Sequence, residues 1–97
     1  MIFKLQYSDD AINDIRNIAH YIASDLHSPA AAMRISKGID KRIEKILIFP
    51  RNARRLLAGK DFRFVTFESY LIIYRIVGDV VRIVRVVHSK MDYTRLF

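Results

Sequence analysis

Cysteine and tryptophan are absent from this 97-residue chain, which also has only three glycines and two prolines. Without cysteine there is neither a disulfide framework nor a thiolate metal site, and an intracellular location is the simpler expectation. His20, His27 and His88 share no ligand spacing, so no metal and no cofactor is expected. No Pro/Gly-rich linker, repeat or low-complexity segment divides the chain, which implies one domain over residues 1–97. No apolar run is long enough to span a bilayer, and "MIFKLQYSDD" turns acidic where a signal peptide would stay apolar. A cytoplasmic protein without a membrane partner is expected. Acidic residues are the scarcer charge: ten Asp+Glu face seventeen Lys+Arg, giving +7 and a pI near 10.1. That balance favours anionic partners without choosing among them.

Hydrophobic residues make up 52% of the chain, enough for one core. "IFKLQY" suits a short strand. Ser8 can cap the helix that follows, with Asp9 and Asp10 in its first turn, and Ile12, Ile15, Ile18, Ala19, Ile22 and Leu26 recur at helical spacing. Ser28 and Pro29 open a second helix with the stripe Ala32, Ile35, Ile39, Ile43, Ile46 and Leu47, and Pro50 ends it. The second half changes period. "FRFVTF", "YLIIYRIV" and "VVRIVRVVH" read as three antiparallel strands, the last two joined by a tight turn at Gly78-Asp79.

If Val77 faces Val80 across that turn, strict alternation puts Leu71, Ile73, Arg75, Val77, Val80, Arg82, Val84, Val86 and His88 on one face of the hairpin. Tyr70, Ile72, Tyr74, Ile76, Val81, Ile83, Arg85 and Val87 take the other. Both faces are largely apolar, although one helical layer covers only one of them. Either the tail folds over the second face or a partner chain docks there. Arg75 opposite Arg82 is a repulsive pair unless an anion lies between them, which marks that face as the candidate binding surface. Tyr70 and Tyr74 read as core residues. The helix stripe Arg34, Lys37, Lys41 and Lys45, interleaved with Asp40 and Glu44, reads as a solvated face. Arg51, Arg54 and Arg55 form a compact anion-seeking loop patch.

The helix hairpin, the "FPRNARRLLAG" loop, "YLIIYRI", "VVRIVRVVH" and the ending "HSKMDYTRLF" together resemble the RelE/ParE superfamily of toxins from type II toxin–antitoxin modules. The resemblance implies an α+β fold of order βααβββ with a short tail: a small antiparallel sheet packed on an N-terminal helix hairpin. It also implies an antitoxin partner whose acidic, disordered segment folds over the toxin in a hetero-oligomer, with Leu71, Ile73, Arg75, Arg82 and Val84 as antitoxin contacts.

The superfamily holds ribosome-dependent mRNA endoribonucleases of the RelE type and gyrase poisons of the ParE type. Metal-free RNA cleavage needs a base, an acid and cations for the phosphorane. The resemblance places Leu71, Phe62 and Phe64 where a RelE nuclease sets cations, so this chain looks closer to ParE and is expected to inhibit DNA gyrase by binding. In the alternative reading, with ribosome and mRNA as partners, His88, Lys90 and Tyr93 serve as replacement catalytic groups. Taken alone, His88 at a strand end reads as an ordinary hydrogen-bonded surface histidine. The expected target-binding set is Arg51, Arg54, Arg55, His88, Lys90, Asp92, Tyr93 and Arg95. Tyr93, Leu96 and Phe97 are expected to dock the tail, holding His88, Lys90, Asp92 and Arg95 at the rim of the face of Arg75 and Arg82.

Overall fold

The computed structural model describes residues 3–56, 61–91 and 93–96. Strand β1 (Lys4–Tyr7) leads into helix α1 (Asp9–His20), which widens into a π-helical segment (Tyr21–Asp25) before helix α2 (Pro29–Ile48). A 3-10 turn at Pro50–Asn52 precedes β2 (Arg54–Arg55), β3 (Arg63–Phe67), β4 (Tyr70–Val77) and β5 (Val80–His88), and a last 3-10 turn covers Tyr93–Leu96. The sheet order is β1-β5-β4-β3-β2. Among the described residues no helix is long and apolar enough to cross a membrane.

The local signals for the helices act as expected. The Ser8 Oγ accepts the Ala11 N–H at 3.0 Å, and the Ser28 Oγ accepts the Ala31 N–H at 3.3 Å. Ala32, Ile35, Ile39, Ile43 and Ile46 are all buried. They meet Ile72, Tyr74, Val81, Ile83 and Val86 from the sheet in the main core. The first helix departs from its simple stripe. The Leu26 N–H bonds the Tyr21 carbonyl five residues back, so the extra residue per turn rotates Ile22 inward and leaves Tyr21 and Leu26 exposed. Ala11 is fully buried while Ile12 faces solvent.

The α+β architecture holds, but the sheet is mixed. β1 lies parallel to β5, with Lys4 opposite Val80 and Tyr7 opposite Ile83. A parallel neighbour needs a long crossover, and the helix hairpin and the strands after it provide that length.

One irregularity decides which residues face where. The β4–β5 register shifts between Ile73 and Tyr74: Ile73 pairs with Arg85, whereas Tyr74 pairs with Ile83. Val84 is the extra residue of a β-bulge, and beyond it every side chain of β5 changes face. Val86 therefore pairs with Ile72 in the main core, and Val87 pairs with Leu71 on the face away from the helices. This corrects the alternation, which put Val86 and His88 outside and Val87 inside.

Helix α1 clamps the bulge. The Ser8 hydroxyl donates to the Val84 carbonyl at 2.7 Å. The Val86 N–H donates to Asp14 Oδ2 at 2.9 Å, and the Arg85 guanidinium donates to both oxygens of Asp14 at 2.7 and 2.9 Å. Arg85 is thereby held more firmly protonated than an ordinary arginine, mainly through its hydrogen bond to Asp14.

Candidate functional site

The sheet face away from the helices is covered by the chain itself. Leu71, Ile73 and Val87 are buried there beneath Leu56, Phe62, Phe64, Val84 and Leu96. Leu96 comes from the C-terminal 3-10 turn, so the tail does fold across this face. That cover includes two of the residues expected to contact the antitoxin. Leu71 is 7% exposed and Ile73 0%, so a partner reaches neither without displacing the aromatic roof. Arg75, Arg82 and Val84 remain at the surface, in a shallow groove that also takes in Phe62, Val77 and Leu96.

Arg75 and Arg82 do stand opposite each other, yet the two guanidinium groups diverge. Arg75 lies 5.6 Å from the centre of the Phe62 ring, a cation–π contact. Arg82 donates to Gln6 Oε1 on β1 at 2.6 Å. Each guanidinium thus has a partner of its own within the fold.

The bulge moves His88 to the helix-facing side. It pairs with Tyr70, and the two rings meet edge to face at 5.8 Å. This corrects the grouping of His88 with Arg75 and Arg82 at one rim. The Lys90 N–H donates to His88 Nδ1 at 3.2 Å. A backbone N–H can only donate, so the neutral ring carries its proton on Nε2, and its basic nitrogen is occupied. Burial, aided by Glu68 and Tyr21, raises the Tyr70 hydroxyl above its ordinary value, so it stays protonated. Lys90 and Arg95 are exposed. Tyr93 opens the last turn; its side chain and the whole of Asp92 lie outside the described residues, as does Phe97.

The three loop arginines do not converge. Arg51 lies over the Phe3 ring at 5.6 Å. Arg54 and Arg55 are successive residues of β2, paired with Phe64 and Arg63, so they point to opposite faces. β2 stands three strands from β5, roughly 14 Å at about 4.8 Å per strand, so the arginines and the His88 turn form two separate surfaces. Two groups hold this region: Arg63, which no sequence motif marked, and Tyr74, expected in the core and buried there. Arg63 Nη1 donates to the Arg51 and Ala53 carbonyls, and the buried Tyr74 hydroxyl donates to the Pro50 carbonyl. A lone arginine inside an apolar strand was the only signal for the first. The described residues contain no group of three or more His, Asp or Glu able to hold a metal ion.

The family model described as the ParE toxin of the type II toxin–antitoxin system parDE matches residues 5–93. No curated protein sequence matches the chain. Among solved structures, the chromosomal ParDE system of P. aeruginosa is similar with a TM-score of 0.76 and 21% identity, over 90% of this chain and 96% of that one. The free E. coli toxin RelE, in a doubly substituted form, gives 0.71 and 17%, over 99% and 93%. The E. coli DinJ–YafQ toxin–antitoxin complex gives 0.62 and 13%, over 100% and 99%.

Proposed function

The chain belongs to the ParE toxin family of type II toxin–antitoxin systems, and from that premise we propose that it inhibits DNA gyrase by binding and is neutralised by a cognate antitoxin. The observation that carries the choice of target is the covered sheet face. Phe62, Phe64 and Leu71 pack there as a hydrophobic layer, where a RelE-type nuclease needs cations to stabilise a phosphorane dianion. Apolar side chains supply no such stabilisation. An antitoxin contact is supported by the similar P. aeruginosa structure, which is of a ParDE system. On this chain the accessible groove of Arg75, Arg82 and Val84 suits an acidic antitoxin segment, with carboxylates drawing Arg82 from Gln6.

The second reading, an mRNA endoribonuclease, is favoured by one observation: His88 and Lys90 are both exposed and adjoin at the turn that ends β5, although the Lys90 N–H must leave His88 Nδ1 before that nitrogen can act as a base. Expression without antitoxin separates the two. Gyrase inhibition is expected to induce the DNA-damage response and change plasmid supercoiling while mRNA stays intact. Early mRNA cleavage in the ribosomal A site, abolished by His88→Ala, would replace the first reading with the second.

A further inference from the structure

A cleft opens on the helix-facing side, between the C-terminal half of α2 and the β2–β3 edge of the sheet. It measures about 390 Å³ and is walled by Ile46, Ile48, Phe49, Ala53, Val65 and Tyr74, with Arg42, Lys45 and Asn52 among them. An adjoining recess shares Arg42, Asn52, Ala53 and Val65 and adds Arg54. None of these lining residues is acidic. Ile48 and Phe49 at the mouth are 65% and 66% exposed, the most exposed large hydrophobic residues described. Two adjacent apolar side chains left in water beside cations that have no carboxylate partner among the described residues need an explanation.

The chemistry of the walls narrows what fits. The volume lies in the range of about 300–1,000 Å³ typical of ligand-holding clefts. The floor is mainly aliphatic, and the Tyr74 hydroxyl is already committed to the Pro50 carbonyl. An apolar side chain suits that floor, since it has no polar group to leave unpaired there. Arg42 is fixed by the bond from its Nε to the Thr66 carbonyl at 3.1 Å, so it presents its charge with little further loss of conformational freedom. Lys45 and Arg54 extend the positive field along the same cleft.

We propose that this cleft docks an acidic protein segment that inserts one large apolar side chain, and that the segment belongs to the protein target. The apolar residue lies against Ile46, Ile48, Phe49 and Val65, and its flanking carboxylates meet Arg42, Lys45 and Arg54. Assigning the segment to the target rests on the target-binding reading above; the chemistry of the cleft does not.

The test uses the full chain and a fluorescein-labelled peptide with one leucine flanked on both sides by aspartates. The controls are the same peptide with lysines for aspartates, the peptide with serine for leucine, and a single-stranded oligonucleotide. Fluorescence anisotropy is expected to show salt-sensitive binding of the leucine–aspartate peptide alone. Binding weakens roughly tenfold in Lys45→Glu/Arg54→Glu and, separately, in Phe49→Ser. All three positions are exposed, so the variants keep their fold, checked by circular dichroism. Equal binding by wild type and variants, or displacement of the peptide by the oligonucleotide, overturns the proposal for the cleft. Variants that lose the peptide but inhibit gyrase as well as wild type overturn the assignment to the target. If the wild type binds the peptide but leaves gyrase untouched, the gyrase reading fails, and with it the assignment to that target, while the chemistry of the cleft stands.

Discussion

Asp14 does two things with one carboxylate. It accepts the Val86 N–H just beyond the bulge, and it pairs with Arg85. Both side chains are mostly buried, with 14% and 23% exposure, so neither partner is easily rehydrated when the other is lost. Asp14→Ala is expected to cost roughly 2–4 kcal/mol, read as a lower urea midpoint, with Asp14→Asn intermediate because an amide oxygen still accepts the N–H. An unchanged midpoint for Asp14→Ala would show that the bulge holds without its clamp. Tyr74 is the second residue of this kind. Burial raises its hydroxyl above the ordinary 10.0, outweighing the opposite pull of Arg63 and Arg42. Because the folded state favours the neutral phenol, this stabilisation is complete below pH 10.0 and is lost as pH rises through the higher folded-state value. Tyr74→Phe is therefore expected to cost about 1 kcal/mol near neutrality through the lost bond to Pro50. It should also unfold less steeply than wild type above pH 10.0 in an alkaline titration followed by circular dichroism.

At the level of elements, helix α2 shows where propensity and packing oppose each other. Gly38 sits mid-helix with the Phe67 ring of β3 so close that an added methyl group overlaps it. Propensity alone favours Gly38→Ala by about 1 kcal/mol, but the overlap reverses the sign. The expected outcome is a net loss of roughly 1–2 kcal/mol in thermal or urea unfolding, recovered when Phe67→Leu is added to Gly38→Ala. Stabilisation by Gly38→Ala alone would contradict this packing. The helices and the three long strands were legible in the sequence because caps and periodicity act locally: Ser8, Ser28 and the isoleucine stripe of α2 all do what their spacing says. The bulge was not legible, since Ser8 and Asp14 secure it from 76 and 72 residues away, and no local pattern carries that information. The missing residue of offset sent Val86, Val87 and His88 to the wrong faces. The parallel pairing of β1 was hidden for the same reason, because it depends on where the crossover ends.

Across the whole molecule, the charged residues form several surfaces where the sequence suggested one or two. The tail closes the outer sheet face through Leu96, Arg75 and Arg82 find partners within the fold, and the loop arginines separate around the β2 edge. The cleft under Phe49 sets exposed apolar side chains beside Arg42 and Lys45. It was not legible because Ile48 and Phe49 lie just past the stripe that ends at Ile46 and Leu47, and their exposure depends on how the chain turns at Pro50. On the gyrase-binding reading proposed above, this toxin acts by presenting surfaces to a protein, and the Phe62, Phe64 and Leu71 layer of its outer face carries no charge for a cleaving phosphate. The most direct measurement is DNA supercoiling by purified gyrase in the presence of this protein, with the ribosome-dependent cleavage assay run in parallel. The expected result is concentration-dependent inhibition of supercoiling, relieved by the cognate antitoxin, with mRNA on programmed ribosomes left intact. Undisturbed supercoiling together with A-site cleavage that His88→Ala abolishes would contradict it.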